Sequence, residues 1–180
     1  EGWNLVHFPI VPDKFTTAGG LVKANAQAGG YVTIVATWEN GTWKEYIQRA
    51  ATAYSPDFPI EVGKAYFLRS HRELNWQVTG SPPAGGTPPL KLTPGWNSVG
   101  LFLSSDKHAS SVLNALNKAN PGKEVATEID NWLSGTWQVF VKRIYEPTNI
   151  QEYGDDYALS QVEGYMIKAL EHITLNLTEK

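Results

Sequence analysis

The chain contains no cysteine, which removes disulfides, zinc–thiolate sites and thiol catalysis in one step. It also lacks any basic run. Its 15 Lys and Arg against 18 Asp and Glu leave a formal net charge of −3, so the electrostatic footprint of a nucleic-acid or anionic-membrane partner is missing. No apolar stretch approaches the roughly 20 residues of a membrane-spanning helix, and neither an initiator Met nor a signal-like segment opens the sequence. The expectation is a mature or excised piece with no membrane insertion of its own. Charged residues are sparse, at 18% of 180 positions, whereas Thr, Asn, Gly, Trp and Tyr are plentiful. That balance is common in extracellular β modules, so an exterior or cell-surface location is expected. A chain of this length buries roughly 70% of its unfolded surface and needs no covalent staple.

Most conspicuous among what is present is a duplication. "GWNLVHFPI" from Gly2 returns as "GWNSVGLFL" from Gly95, with Trp3 and Trp96 separated by 93 positions (96 − 3). Further on, "TWENGTWKEYI" from Thr37 matches "NWLSGTWQVFV" from Asn131 at an offset of 94 (132 − 38). "VGKAYFLRS" from Val62 lies over "VEGYMIKAL" from Val162 at 99 (165 − 66), and Leu74, Trp76 and Val78 fall on Ile173, Leu175 and Leu177. Three matched blocks in one order signify an internal repeat. The second copy gains five residues (99 − 94) within the segment 145–161. "TGSPPAGGTPP", from Thr79, is too rich in Pro and Gly for a sheet interior and reads as a connector. Residues 1–80 are expected to form a first β repeat, 81–89 the connector and 90–180 a second β repeat.

Each copy reads as mostly strand. Apolar runs of strand length follow both Gly-Trp-Asn triplets, Trp3 to Ile10 and Trp96 to Leu103. Further strands are expected at Ala65 to Ser70, Leu74 to Thr79, Tyr165 to Leu170 and Ile173 to Thr178. In copy two, Ala109, Val112, Leu113 and Leu116 recur at helical spacing, with Asp106 placed to cap the helix and Asn120-Pro121-Gly122 to stop it. Copy one has a weaker version at Leu21 and Val22, where Gly19 and Gly20 predict only a turn or two. Asn40-Gly41 is the preferred pair for a type I′ hairpin turn, which sets Glu39 opposite Thr42 and Trp38 opposite Trp43; Ser134-Gly135 repeats the arrangement for Trp132 and Trp137. The fold class is therefore mainly β: two tandem pseudo-symmetric repeats of about five strands, each with one short helix or helical turn.

The Gly-Trp-Asn-Leu opening, the central Trp hairpin, the Gly before a Tyr-led strand and the return to Pro-Gly-Trp-Asn resemble the Trp-rich β repeats of long secreted and cell-surface proteins of bacteria and archaea. The resemblance covers nearly the whole chain, twice. It implies an accessory module carried beside peptidase, glycosidase or surface-layer segments, with no catalytic residues to transfer. Copy one departs from the pattern where Lys64 and Ala65 separate Gly63 from Tyr66.

Trp3, Trp38, Trp43, Trp96, Trp132 and Trp137 recur in both copies, so their simplest role is to build each unit as core residues, although flat aromatic faces also suit sugar rings. Features found once are freer to recognise a ligand. These are Trp76, whose counterpart is Leu175, and Tyr153 and Tyr157 of the inserted segment; the three are the expected ligand-binding residues. Asp155 and Asp156 beside them lack the spacing of a calcium loop, and His7, His71, His108 and His172 form no zinc-binding spacing. No catalytic signature occurs, and no cofactor is expected. The expected function is a non-catalytic extracellular structural or interaction module of a larger surface or secreted protein, with a glycan or another surface protein as partner. A carbohydrate-binding module, or the accessory part of an enzyme whose catalytic domain lies outside this chain, are the alternatives.

Overall fold

Asn40 and Gly41 sit at φ 52° and 78° in a computed structural model that describes residues 1–50, 52–103, 107–120, 123–146 and 149–177. Both central residues of a two-residue type I′ turn need positive φ, which Asn-Gly adopts with little strain. The turn joins β3 (Val32–Glu39) to β4 (Thr42–Arg49), with Glu39 opposite Thr42 and Trp38 opposite Trp43. Ser134 and Gly135, at 53° and 83°, turn β10 (Ala126–Leu133) into β11 (Thr136–Glu146) and set Trp132 opposite Trp137. Both hairpins form as the sequence predicts.

Around each hairpin the remaining strands assemble in one order. β1 (Gly2–His7), β5 (Thr52–Ala53) and β6 (Ala65–Ser70) complete a first sheet ordered β1-β6-β3-β4-β5. β9 (Gly95–Gly100), β12 (Asn149–Gly154) and β13 (Gly164–Ala169) complete a second, ordered β9-β13-β10-β11-β12. All pairings are antiparallel. The protein is mainly β, built as two tandem pseudo-symmetric repeats of five strands with one helix apiece. Two short ribbons are added: β2 (Val11–Pro12) with β7 (Gly80–Ser81), and β8 (Leu90–Leu92) with β14 (Ile173–Leu175).

The helices correct one expectation. α1 (Ala18–Gln27) is as long as α2 (Ala109–Lys118), 10 residues each, despite Gly19 and Gly20. Thr17 Oγ1 accepts from Gly20 N at 3.1 Å, and Asp57 Oδ1 accepts from Gly19 N at 2.8 Å. A Cβ at Gly19 would lie 2.9 Å from Asp57 Oδ2 and 3.1 Å from the Tyr46 ring, so glycine here admits the cap instead of breaking the helix. Asp106, expected to cap α2, lies outside the described residues, as do Pro121 and Gly122. His108 holds the N-cap position, and Asp156 accepts from Ser110 N at 2.8 Å and Ser110 Oγ at 2.7 Å. The strand expected at Leu74 to Thr79 is absent, because pairing is taken up one residue later by β7; Trp76 and Val78 instead pack on the first core. β14 ends at Leu175, and Thr178 lies outside the described residues.

Alternation along the strands gives each sheet two apolar faces. α1 covers one face of the first sheet, with Leu21 and Val22 against Val35, Tyr66 and Leu68. α2 covers one face of the second, with Val112, Leu113 and Leu116 against Ile129, Tyr165 and Ile167. The other faces meet through Leu5, Ala36, Ala65, Phe67 and Met166, flanked by Trp3, Trp38, Trp96 and Trp132. The layers thus run helix, sheet, sheet, helix.

The central contact is pseudo-two-fold. His7 N donates to Val162 O and Gly100 N donates to Gly63 O, both at 2.9 Å; His7 and Gly100 are equivalent positions, as are Gly63 and Val162. The isolated bridges Val6 to Glu163 and Lys64 to Val99 obey the same symmetry.

Candidate functional site

The hairpin indoles are placed by alternation on the faces where the sheets meet, but the hairpins reach past that contact. Trp43 and Trp137 therefore stay 47% and 45% exposed, and Trp3, Trp38, Trp96 and Trp132 are partly buried beneath them. Trp3, Trp38, Trp96 and Trp132 pack against the central core as the repeat leads one to expect, whereas Trp43 and Trp137 correct that expectation. Trp38 and Trp43 meet edge to face at 5.3 Å between ring centroids, and Trp132 and Trp137 at 5.2 Å. Phe67 joins the units, with its ring 5.6 Å from Trp43 and 5.9 Å from Trp137.

Two grooves share Trp43 and Trp137 as walls. The first, about 270 Å³, adds Trp3, Ala36, Phe67, Trp132 and Glu45. The second, about 190 Å³, adds Trp38, Trp96, Asp130 and Met166. They are pseudo-symmetry mates: Trp3 corresponds to Trp96, Trp132 to Trp38, Phe67 to Met166 and Ala36 to Asp130. The last substitution puts a buried carboxyl group in the second groove, whereas Glu45 of the first is exposed.

Asp130 is 9% exposed, and its pKa is pushed up to about 7 by burial, with the Glu128 carboxylate adding to the rise and Lys168 opposing it. Its Oδ1 has no hydrogen-bond partner among the described residues, and neither has Trp38 Nε1. In the first groove the corresponding indole is satisfied, since Trp132 Nε1 donates to the Trp3 carbonyl at 3.0 Å. The second groove thus holds an unsatisfied acceptor and an unsatisfied donor. Lys168 is already present as a cation, its Nζ 5.6 Å from the centroid of Trp96.

The residues singled out by sequence are not brought together. Trp76 stacks on Phe15 at 5.7 Å and borders a cavity of about 520 Å³ in the first repeat, together with His7, Arg72 and Leu74. His7 Nδ1 donates to the Gln161 carbonyl at 2.8 Å, and burial lowers its pKa to about 4. Tyr153 is exposed on β12, in the second repeat. Tyr157 is buried, its hydroxyl donating to the Ile129 carbonyl at 2.9 Å. At the offset of 99, Asp57-Phe58 falls on Asp156-Tyr157, and both pairs serve their helix alike: Ala18 N donates to Phe58 O, and Ala109 N to Tyr157 O. The inserted residues lie earlier in the segment, where they lengthen the β11–β12 hairpin; β12 has six residues against two in β5.

What the sequence reading missed is the groove carboxyl. Asp130 opposite Ala36 was visible in the aligned hairpins, as a charge replacing a methyl group on a strand face next to two Trp residues. Among the described residues, no group of three or more His, Cys, Asp or Glu is arranged to hold a metal, and no helix is long and apolar enough to cross a membrane. Comparison with protein-family models, with curated proteins and with solved structures finds no match.

Proposed function

We propose that the chain is a non-catalytic binding module of a larger secreted or cell-surface protein, and that its contact surface is the indole-lined edge where the two hairpins meet. The observation that carries this reading is the pair Trp43 and Trp137. Two large apolar rings from different repeats are held half-exposed, side by side, above grooves of about 270 and 190 Å³. Exposed aromatic rings on rigid hairpins present contact area with little entropy left to lose on binding. The grooves are mostly apolar with few polar groups, the usual make-up of recognition sites. The low charge content and Thr-, Asn- and Trp-rich composition support an exterior location. The expected role is adhesion or attachment of the parent protein.

The test is a binding screen with the ¹⁵N-labelled chain, following indole N–H resonances against neutral and acidic polysaccharides, choline, and acidic and Pro-rich peptides. The expected result is that at least one probe moves the Trp43 and Trp137 signals, and that a Trp43→Ala/Trp137→Ala double variant, still folded, loses that binding. A screen in which no probe moves either signal, or a double variant that binds undiminished, overturns the proposal.

A further inference from the structure

We propose, resting on the reading above, that the groove formed by Trp38, Trp43, Trp96, Trp137, Asp130 and Met166 binds one pyranose ring of a neutral glycan. Trp43 and Trp137 supply flat apolar surface for the C–H face of the ring. Sugar hydroxyls accept from Trp38 Nε1 and donate to the Asp130 carboxylate.

A buried donor or acceptor without a partner is costly and calls for an explanation, and here the two residues that carry one of each, Trp38 and Asp130, line the same groove. A hydroxyl both donates and accepts, so a polyhydroxylated ring relieves the two together. An organic cation satisfies only Asp130, leaves the indole N–H unpaired and meets Lys168, which already stands against Trp96 beside that carboxyl. A purely apolar ligand relieves neither. The pseudo-symmetric groove supplies the internal contrast: with Ala36 in place of Asp130, and with Trp132 Nε1 already bonded to Trp3, it has no such pair to satisfy. Both polar atoms are closed off from solvent, so binding as proposed requires the groove wall to move aside.

The experiment uses the 180-residue chain and named probes: D-glucose, D-galactose, D-mannose and N-acetylglucosamine, their tetrasaccharides, and the choline chloride, acidic polysaccharides and acidic and Pro-rich peptides of the screen above. The readout is the Trp38 indole N–H resonance. At least one saccharide is expected to move it downfield, together with the Trp43 and Trp137 signals. Trp38→Phe, which keeps the ring and loses the N–H, and Asp130→Asn, which keeps the shape and loses the charge, should each weaken binding at least tenfold. Tyr54→Ala, at an exposed tyrosine away from both grooves, should leave it unchanged, and unaltered melting temperatures confirm folding. If saccharides leave the Trp38 signal in place while choline or a peptide moves Trp43 and Trp137, the pyranose assignment falls and the binding-module reading stands. If no probe moves any of the three, both fall. Saccharide binding that survives both groove substitutions at full strength overturns the assignment to this groove.

Discussion

His7 and Gly100 occupy equivalent positions in the two repeats and lie against each other. A Cβ built on Gly100 would overlap the His7 imidazole. Ala65 and Gly164 form a second such pair, since a Cβ on Gly164 would come 2.5 Å from that of Ala65. Strict symmetry would set like against like at these places; here a larger residue meets glycine each time.

Gly100→Ala should therefore destabilise the protein by about 1–3 kcal/mol, the usual cost of overpacking. The penalty should shrink when His7 is also changed to Ala, because the space is then free. Urea denaturation of the wild type, both single variants and the double variant measures the coupling. Additive effects would show that the two residues do not compete for one space.

Two buried groups titrate in opposite senses. His7 is lowered to about 4 from 6.5 by burial, against the hydrogen bond to Gln161, so its contribution is complete above 6.5 and is lost as pH falls toward 4. Asp130 is raised from 3.8 to about 7, so the folded state holds its proton more tightly and stability falls as pH rises from 3.8 through 7. Each contributes at most about 1.4 kcal/mol per pH unit, and between pH 4 and 6.5 their slopes cancel. Asp130→Asn should expose a stability that rises with pH in this window, and His7→Gln one that falls. Parallel profiles for the two variants would disprove the opposition.

Trp43→Ala and Trp137→Ala should each cost about 1–2 kcal/mol, less than the 3–5 kcal/mol of a buried aromatic, because edge-to-face contact is lost but each ring is only half-buried. Each should halve the indole exciton signal in far-ultraviolet circular dichroism, and the double variant should abolish it. A cost above 4 kcal/mol would mean that the rings are enclosed.

Asp57→Ala and Asp156→Ala remove equivalent helix caps, and each should lower stability by about 0.5–2 kcal/mol. A chelator should leave the melting temperature unchanged, since Asp156 is occupied with Ser110. A marked drop would assign the carboxylates of this loop to a cation.

The hairpins and the repeat were legible because they rest on local rules: positive φ at Asn40-Gly41, and spacing that recurs. Gly19 misled because helix propensity carries no information about the Asp57 carboxylate that needs the space of a missing side chain. Tyr157 lies in the same segment as the insertion, but the offset of 99 pairs Asp156-Tyr157 with Asp57-Phe58 and so pairs Tyr157 with a core residue. The exposure of Trp43 and Trp137 was not readable at all. Alternation says which face a side chain takes, but not how far the opposing sheet extends over it.

The difference between Ala36 and Asp130 has a consequence for stoichiometry. A symmetric assembly of two identical chains carries every groove twice and can only gain or lose both. Two units joined in one polypeptide are free of that restriction, so a single substitution can furnish one groove with a buried carboxyl group and leave its mate without one. The chain should then take up one ligand molecule, not two, and a calorimetric titration should saturate at one site per polypeptide.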